Sequence, residues 1–381
     1  MPLFSSRSYS YLGIDFDSSS VKVVELKNEN GRPRLVTYGY FDKQTDKTKM
    51  DQDGRDALEI AKLVKQVCYK SKTTTTKTIS SLPAFSVFSS ILSLPPMSKK
   101  ELSSAIEWEA KKVIPLPLQD MILDWKVLDD VPDISIGDKK DTQDLPEDLA
   151  ESNGEKKKFL KISSNKKVKN IRILLTAAPK DLVKKYISIF KAAGLSLLSL
   201  DTEAFALVRS LVGNDRSPLM IVDIGSIVTN ISTVVGGIPI LNRSIDVGGL
   251  TITKAISNSL NVTLNRAEQF KYDIGMNPDR SGQGSVPKTI ESTLTPLVDE
   301  IKYSLNLYHN QGQKNIEKII LTGGSSLLLN LPEYLSKTLD LKVFRGDPWA
   351  RIIYPEELKS VLDEIGPRYS VAIGLAMRDI Q

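Results

Sequence analysis

Two stretches of the sequence have the residue types needed to hold an anion. One is Gly13–Ile14–Asp15–Phe16–Asp17–Ser18–Ser19–Ser20–Val21–Lys22, and the other is Val222–Asp223–Ile224–Gly225–Ser226–Ile227–Val228–Thr229–Asn230. Each runs an apolar stretch into an aspartate, then a turn of small residues, then a second apolar stretch. Backbone N–H groups and hydroxyls in such a turn converge on an anion. A carboxylate sits beside phosphates only with a cation between them, a role magnesium fills through its bound waters. Either turn alone is an ordinary hairpin signal; two on matching frameworks are far more specific. A third stretch, Leu321–Thr322–Gly323–Gly324–Ser325–Ser326, lets a flat ligand approach the backbone at its glycines. Taken alone it also reads as a plain strand-to-helix turn.

Other chemistries lack their parts. Cys68 is the single cysteine and His309 the single histidine, so a zinc site, a Cys–His dyad or a Ser–His–Asp triad cannot be assembled. Cys68 lies among Leu58, Ala61, Leu63, Val64 and Val67, a helical apolar spacing that reads as a buried structural thiol.

The elements that must position these turns are legible in the periodicity. Tyr11–Asp17, Val21–Leu26 and Leu35–Phe41 read as a β-meander, and Leu219–Asp223, Asn230–Val235 and Ile238–Ile245 as a second one about 210 residues later. Two such openings signal an internal duplication. Asp56–Tyr69 reads as a helix and Thr76–Leu82 as a strand. Between the meanders, Val87–Leu94, Met121–Leu128 and Ile171–Ala177 read as strands. Ser98 with Glu101 forms a capping box for a helix through Lys112, and Asp181–Ala193 is a helix stopped by Gly194. The polar stretch Asp129–Lys169 has no sustained period and reads as a disordered insertion, or a surface loop, between two strands. Helices follow at Thr251–Leu260, Leu264–Tyr272 and Thr289–Asn310, then a strand at Ile316–Leu321, a helix at Leu331–Thr338, a strand at Leu341–Phe344 and a last helix at Tyr369–Arg378.

At 381 residues the chain calls for more than one domain. A net charge of +5, from 51 basic and 46 acidic residues, gives no argument for nucleic acid. No run of about 18 apolar residues predicts a membrane span, and Met1–Ser10 does not read as a signal peptide.

Together these motifs resemble the actin-like ATPase superfamily. The Asp15 turn resembles its phosphate-1 loop, the Asp223 turn its phosphate-2 loop, and Ile319–Ser326 its adenosine motif. Leu200–Leu211 and Tyr369–Arg378, with Gly374, resemble its two connecting helices, and Ala267–Lys271 followed by Gly275 resembles the helix that flanks the adenosine. The resemblance implies ATP and Mg2+ as cofactors. It implies that Ser18, Ser19, Ser20 and Lys22 hold phosphates from one side, and Gly225 and Thr229 from the other. Asp15 and Asp223 would orient hydrated magnesium, and Glu268, Lys271, Gly323, Gly324 and Ser325 would enclose the adenosine. Glu203 would position an attacking water.

The fold it implies is α/β: a duplicated, ribonuclease-H-like core of two domains around a nucleotide cleft, with an inserted α+β subdomain. The expected division is residues 9–82 and 199–217 for the first core subdomain, 83–198 for the insertion with 129–169 as its loop, 218–349 for the second core domain with helices over about 247–315, and 350–381 returning to the first. The place of the insertion resembles the FtsA/PilM branch. Glu107–Trp108–Glu109–Ala110, Val113–Ile114–Pro115 and Leu123–Asp124–Trp125 resemble the PilM family, and the end at Gln381, without a basic amphipathic helix, is expected of PilM rather than FtsA. That resemblance implies a cytoplasmic scaffold at the inner face of the bacterial inner membrane. Its partner would be the N-terminal cytoplasmic peptide of PilN, held between insertion and first core subdomain, with the assembly ATPases and PilO reached indirectly. An FtsA-like or filament-forming protein, and a small-molecule kinase using Asp201 as base, are the alternatives.

Overall fold

The computed structural model describes residues 9–16, 20–42, 57–128, 170–277, 285–310 and 315–380. The chain runs through β1 (Ser10–Phe16), β2 (Ser20–Glu29), β3 (Arg32–Asp42), α1 (Ala57–Lys70), β4 (Lys77–Leu82), β5 (Phe88–Leu94), α2 (Lys99–Val113), β6 (Met121–Val127), β7 (Ile171–Pro179), α3 (Lys180–Ala193) and β8 (Ser196–Thr202). It continues with α4 (Glu203–Leu207), β9 (Leu219–Ile224), β10 (Thr229–Val235), β11 (Ile238–Ile245), α5 (Gly249–Leu260), α6 (Leu264–Ile274), α7 (Ser285–His309), β12 (Lys318–Thr322), α8 (Leu331–Leu339), β13 (Lys342–Arg345) and α9 (Lys359–Ala376).

The duplication is plain in the sheets. The first has the order β3-β2-β1-β4-β8 and the second β11-β10-β9-β12-β13. In each, an antiparallel meander is extended by two parallel strands from its first strand. β1 and β9 are therefore central and read as nearly continuous apolar runs, as strands covered on both faces do. Along β2 the pleat sends Val21 and Val23 to α1 and α3, and Val24 and Leu26 to α9. In β9, Met220, Val222 and Ile224 face the helices α5, α7 and α8, while Leu219 and Ile221 face α4 and α9. Ala206 and Leu207 of α4 and Val371 and Leu375 of α9 thus share one cluster with Ile79 of the first sheet and Ile320 of the second. These two helices, with Val208 just after α4, pack against both sheets at once.

Close crossing there needs glycine. A Cβ on Gly374 of α9 would stand 1.8 Å from the Ala206 carbonyl oxygen, and one on Gly13 of β1 would stand 1.9 Å from that of Ala372. A third sheet, β5-β7-β6, is packed by Leu102, Ile106 and Ala110 of α2. The Ser98–Glu101 capping box forms as expected, with the Ser98 amide donating to Glu101 at 3.0 Å.

Three expectations are corrected. Leu200–Thr202 is not helix but the end of β8, which pairs in parallel with β4; the connecting helix begins at Glu203 and widens into a π-helical turn at Val208–Val212. The last helix is longer than Tyr369–Arg378, running from Lys359 straight through Pro367. A proline removes one helical N–H, and the residue whose carbonyl that N–H would have met, Asp363, is exposed. Finally, Gly323 leads into a short 3-10 turn, Gly324–Leu327, before α8. The insertion read at Asp129–Lys169 lies outside the described residues. Cys68 is buried, and burial pushes its thiol up to about 11, which keeps it an unreactive packing group.

Candidate functional site

Asp15 stands near the carboxyl end of β1 and Asp223 near that of β9, the end at which open α/β sheets bind ligands, and the charges of both reach Glu203. Asp15 and Lys22 are opposite one another in the β1–β2 register, and Lys22 Nζ lies 3.0 Å from Asp15 Oδ2. Asp15 is 8% exposed, and Ser20 at the start of β2 is equally buried. Ser18 and Ser19, with Asp17, lie outside the described residues.

Opposite, Asp223 pairs in register with Asn230. The turn between them closes through the Gly225 amide, which donates to Val228 O at 3.0 Å. Thr229 is fully buried and donates to Val247 O at 2.5 Å, so its hydroxyl fixes the turn against the segment between β11 and the helix α5. Gly323 has φ +83°, and a Cβ there would meet Asp223 Oδ1 at 2.4 Å. Gly249 is under the same restriction, its Cβ position lying 2.3 Å from Ser325 Oγ. The cleft floor is therefore a glycine cradle around one carboxylate, a shape that favours backbone approach by a ligand.

Glu203 opens α4, with Thr202 as N-cap accepting from the Phe205 amide. Its Oε2 accepts from Asn230 Nδ2 at 2.9 Å and from the Ala84 amide at 3.3 Å. Burial, and then the charges of Asp15 and Asp223, push its carboxyl well above the usual range; the Ala84 amide and Lys22 oppose this. Three carboxylates thus converge from β1, β9 and α4. Such a constellation has a linkage consequence. A carboxyl raised in the fold keeps a proton that the unfolded chain has lost, so stability falls as pH rises from about 4.5 through the raised value. Urea unfolding over a pH series is expected to show Glu203→Gln gaining stability relative to wild type across that window. A constant difference at every pH would contradict the convergence.

On the adenosine side, Lys271 is 4% exposed, and its ammonium is enclosed. It donates to Glu268 at 2.7 and 2.8 Å, to Thr253 Oγ1 at 3.0 Å and to Gly249 O at 3.3 Å. The Lys271–Glu268 pair therefore pins α6 to α5, and Glu268, 39% exposed, presents the outer surface. Ser325 Oγ donates to Gly225 O at 3.4 Å, joining the third glycine stretch to the second turn. Gly324 lies open beside the Arg368 side chain, which donates to the Tyr272 hydroxyl at 2.8 Å across the mouth of the cleft.

Asp201, the candidate kinase base, is occupied otherwise. It accepts from the Thr202 amide at 2.8 Å and pairs with Arg209, whose guanidinium also donates to Gly374 O at 3.1 Å. Arg209, just after α4, thus ties the end of β8 to α9 through Asp201 and Gly374 O.

Behind the cleft lies a groove of about 1450 Å³ between the three-stranded sheet and the first sheet. Ile122, Leu174 and Ala178, on one face of the β6–β7 pair, form one wall, Leu82, Leu200 and Phe205 the other, and Trp125 also borders the groove. Its far end is cationic, with Arg32, Arg351 and Arg378.

Asp223, Gly225, Gly323 and Ser325 are thus brought together, and the charge of Asp15 acts on the same Glu203 as that of Asp223. For magnesium, no cluster of three or more His, Cys, Asp or Glu suited to direct ligation occurs among the described residues. Two carboxylates on opposite strand ends fit instead an ion that keeps its waters and binds phosphate oxygens. Sequence reasoning missed Asn230, Ala84, Gly249 and Arg368. Only Asn230, directly in register with Asp223, has a sequence signal: it is a polar residue early in the strand that returns from the second turn.

Comparison with known proteins follows this geometry. The family model described as type IV pilus assembly protein PilM matches residues 13–142 and 158–380. Cell division protein FtsA of Neisseria meningitidis serogroup B is 25% identical over 227 residues, 54% of this chain and 53% of that protein, so the match spans about half the length of that curated relative. A solved structure described as a PilM-PilN type IV pilus biogenesis complex is 24% identical, with 97% of this chain and 98% of that one covered, at a TM-score of 0.75. MreB5 of Spiroplasma citri bound to ADP is 13% identical, with 96% and 94% covered, at a TM-score of 0.50. The fold is the two-domain actin-like ATPase fold.

Proposed function

We propose that this chain, which belongs to the PilM family of type IV pilus assembly proteins, is a nucleotide-binding scaffold that holds a partner peptide in the groove behind its cleft. The observation that carries the reading is the groove itself: an apolar trough whose inner wall, Leu200 to Phe205, is the segment that also delivers Glu203 to the cleft. A related protein has been solved as a PilM-PilN complex. By analogy we take the occupant here to be the N-terminal cytoplasmic peptide of PilN, through which PilO and the assembly ATPases would be reached. No helix among the described residues is long and apolar enough to cross a membrane. We therefore assign its place at the inner face of the inner membrane to the partner.

ATP with Mg2+ is the ligand we assign to the cleft. Ser18, Ser19, Ser20 and Lys22 would hold phosphates from the first sheet, and Gly225 from the second, in a turn that Thr229 fixes through its hydroxyl. Asp15 and Asp223 would orient the ion's waters, while Gly323, Gly324, Ser325 and Glu268, the last held in place by the buried Lys271, would enclose the adenosine. Bound magnesium would neutralise charge on the phosphates. The chain's own part is to orient them and, at Glu203, to align a water if hydrolysis occurs. The two five-stranded sheets are then the cores of the two domains, with the three-stranded sheet and α2 as the inserted subdomain.

The groove assignment is tested at its exposed wall. Trp125 and Ile122 are 38% and 43% exposed, so replacing them leaves the core intact. Calorimetric titration with a peptide copied from the N-terminus of the same genome's PilN is expected to show Trp125→Ala and Ile122→Asp binding about tenfold or more weakly than wild type. Unchanged affinity in both would remove the peptide from this groove.

A further inference from the structure

β4 ends at Leu82, and the next residue, Pro83, has no N–H. The Ala84 amide is thus the first donor after the strand, and it donates to Glu203 Oε2 at 3.3 Å. This is where the chain leaves the first sheet for the three-stranded sheet, since β5 begins at Phe88. Glu203 stands at the opposite join. β8, returning from that module through α3, ends at Thr202 beside Leu82 in the parallel register. The same Oε2 also accepts from Asn230 of the second sheet, whose Oδ1 is in turn fixed by the Ser244 hydroxyl at 2.7 Å. One carboxylate oxygen therefore ties together the module's entry, the module's return and the second sheet.

The two sides of this knot face different sites. Asp15 and Asp223, the charges felt by Glu203, lie on the cleft side. Leu82, Val87, Thr202 and Phe205 of the same segments line the groove. We infer that Glu203 is a positioning residue that reports cleft occupancy to the groove, by holding or releasing the Ala84 amide. The identity of the two ligands rests on the function proposed above; the connection between the sites is a property of the chain. Of the two bonds to Oε2, that from Ala84 is the longer and so the weaker. A cation and phosphates arriving beside Asp15 and Asp223 reset the field on Glu203. A small turn of the carboxylate toward them opens the Ala84 bond first, while Asn230 keeps its hold. The one-turn helix Ala84–Ser86 and Val87 beyond it then shift, and with them one wall of the groove.

Hydrogen exchange at the Ala84–Phe88 amides tests this without measuring turnover. Wild type and Glu203→Ala, which removes the acceptor, are compared with and without Mg-ADP, each at a nucleotide concentration shown to saturate it. In wild type, Mg-ADP is expected to speed exchange of this segment about fivefold or more. In Glu203→Ala the exchange is fast in both states and indifferent to nucleotide, whereas a merely structural role for Glu203 would leave the nucleotide response in place. An equal response in wild type and Glu203→Ala, or none in saturated wild type, overturns the inference. Failure of Mg-ADP to bind wild type at all overturns it together with the cleft assignment. An intact exchange response in a protein that ignores the PilN peptide sustains the inference and overturns the partner reading alone.

Discussion

Asp223→Ala is expected to weaken Mg-ATP binding about ten- to hundredfold, the cost of losing charge-assisted hydrogen bonds in a partly enclosed site. Asp223 ends the central strand of the second sheet and is fixed in place by its surroundings: Asn230 opposite in register, and the Gly323 backbone packed directly on Oδ1. Its counterpart Asp15 is neutralised by Lys22 at 3.0 Å, so Asp15 alone is a weaker anchor for a hydrated cation. Removing Asp223 also removes a like charge from Glu203, which relaxes that carboxyl toward its ordinary range. The variant should consequently be no less stable than wild type without nucleotide, while losing the thermal stabilisation that saturating Mg-ATP gives wild type. Titration calorimetry with Mg-ATP checks the first expectation and melting curves the second. Equal affinity in the variant would remove the cleft assignment.

Gly374→Val is expected to cost about 3 kcal/mol or more of stability, or to prevent folding, the upper end of what overpacking costs because the clash is with backbone. The Cβ would overlap the Ala206 carbonyl at 1.8 Å, and neither partner is a flexible side-chain end. Both atoms belong to helices that pack on two sheets at once, so α4 and α9 would have to part by more than an ångström. The same separation would pull Arg209 from Gly374 O and from Asp201, loosening the segment that carries Glu203. Chemical unfolding measures the loss. A midpoint within experimental error of wild type would show that the helices do not cross this closely.

How much of this was legible in the sequence depends on whether a feature is local. The meanders are local: alternation and turn residues placed β1–β3 and β9–β11 within two or three residues at each end, and Ile238–Ile245 to the residue. The duplicated sheet order follows from them. β8 was not legible. Ser196 and Ser199 break its apolar run, and it is an edge strand whose only partner, β4, lies over a hundred residues earlier. It was absorbed into the helix that follows. Pro367 hid the first half of α9, because local chemistry argues for a helix boundary there while packing against Trp349 and the first sheet argues for continuity.

The site divides the same way. Asp15, Asp223 and the glycines are strand-end residues whose roles follow from the turn chemistry. Lys271 looked like a cleft lysine by its helix position, yet Thr253 and Gly249 from another helix enclose it. The Ala84 and Asn230 bonds to Glu203 join residues 119 and 27 positions apart, and no local pattern announces them.

The central claim is that one protein binds nucleotide in the cleft and a partner peptide in the groove, and that each is sensed by the other. The direct measurement is the affinity of the PilN N-terminal peptide for the wild-type chain, with and without saturating Mg-ATP. Saturable binding in both states, with affinities that differ about fivefold or more, is the predicted result. No binding in either state would contradict the scaffold reading and leave only the fold and the family.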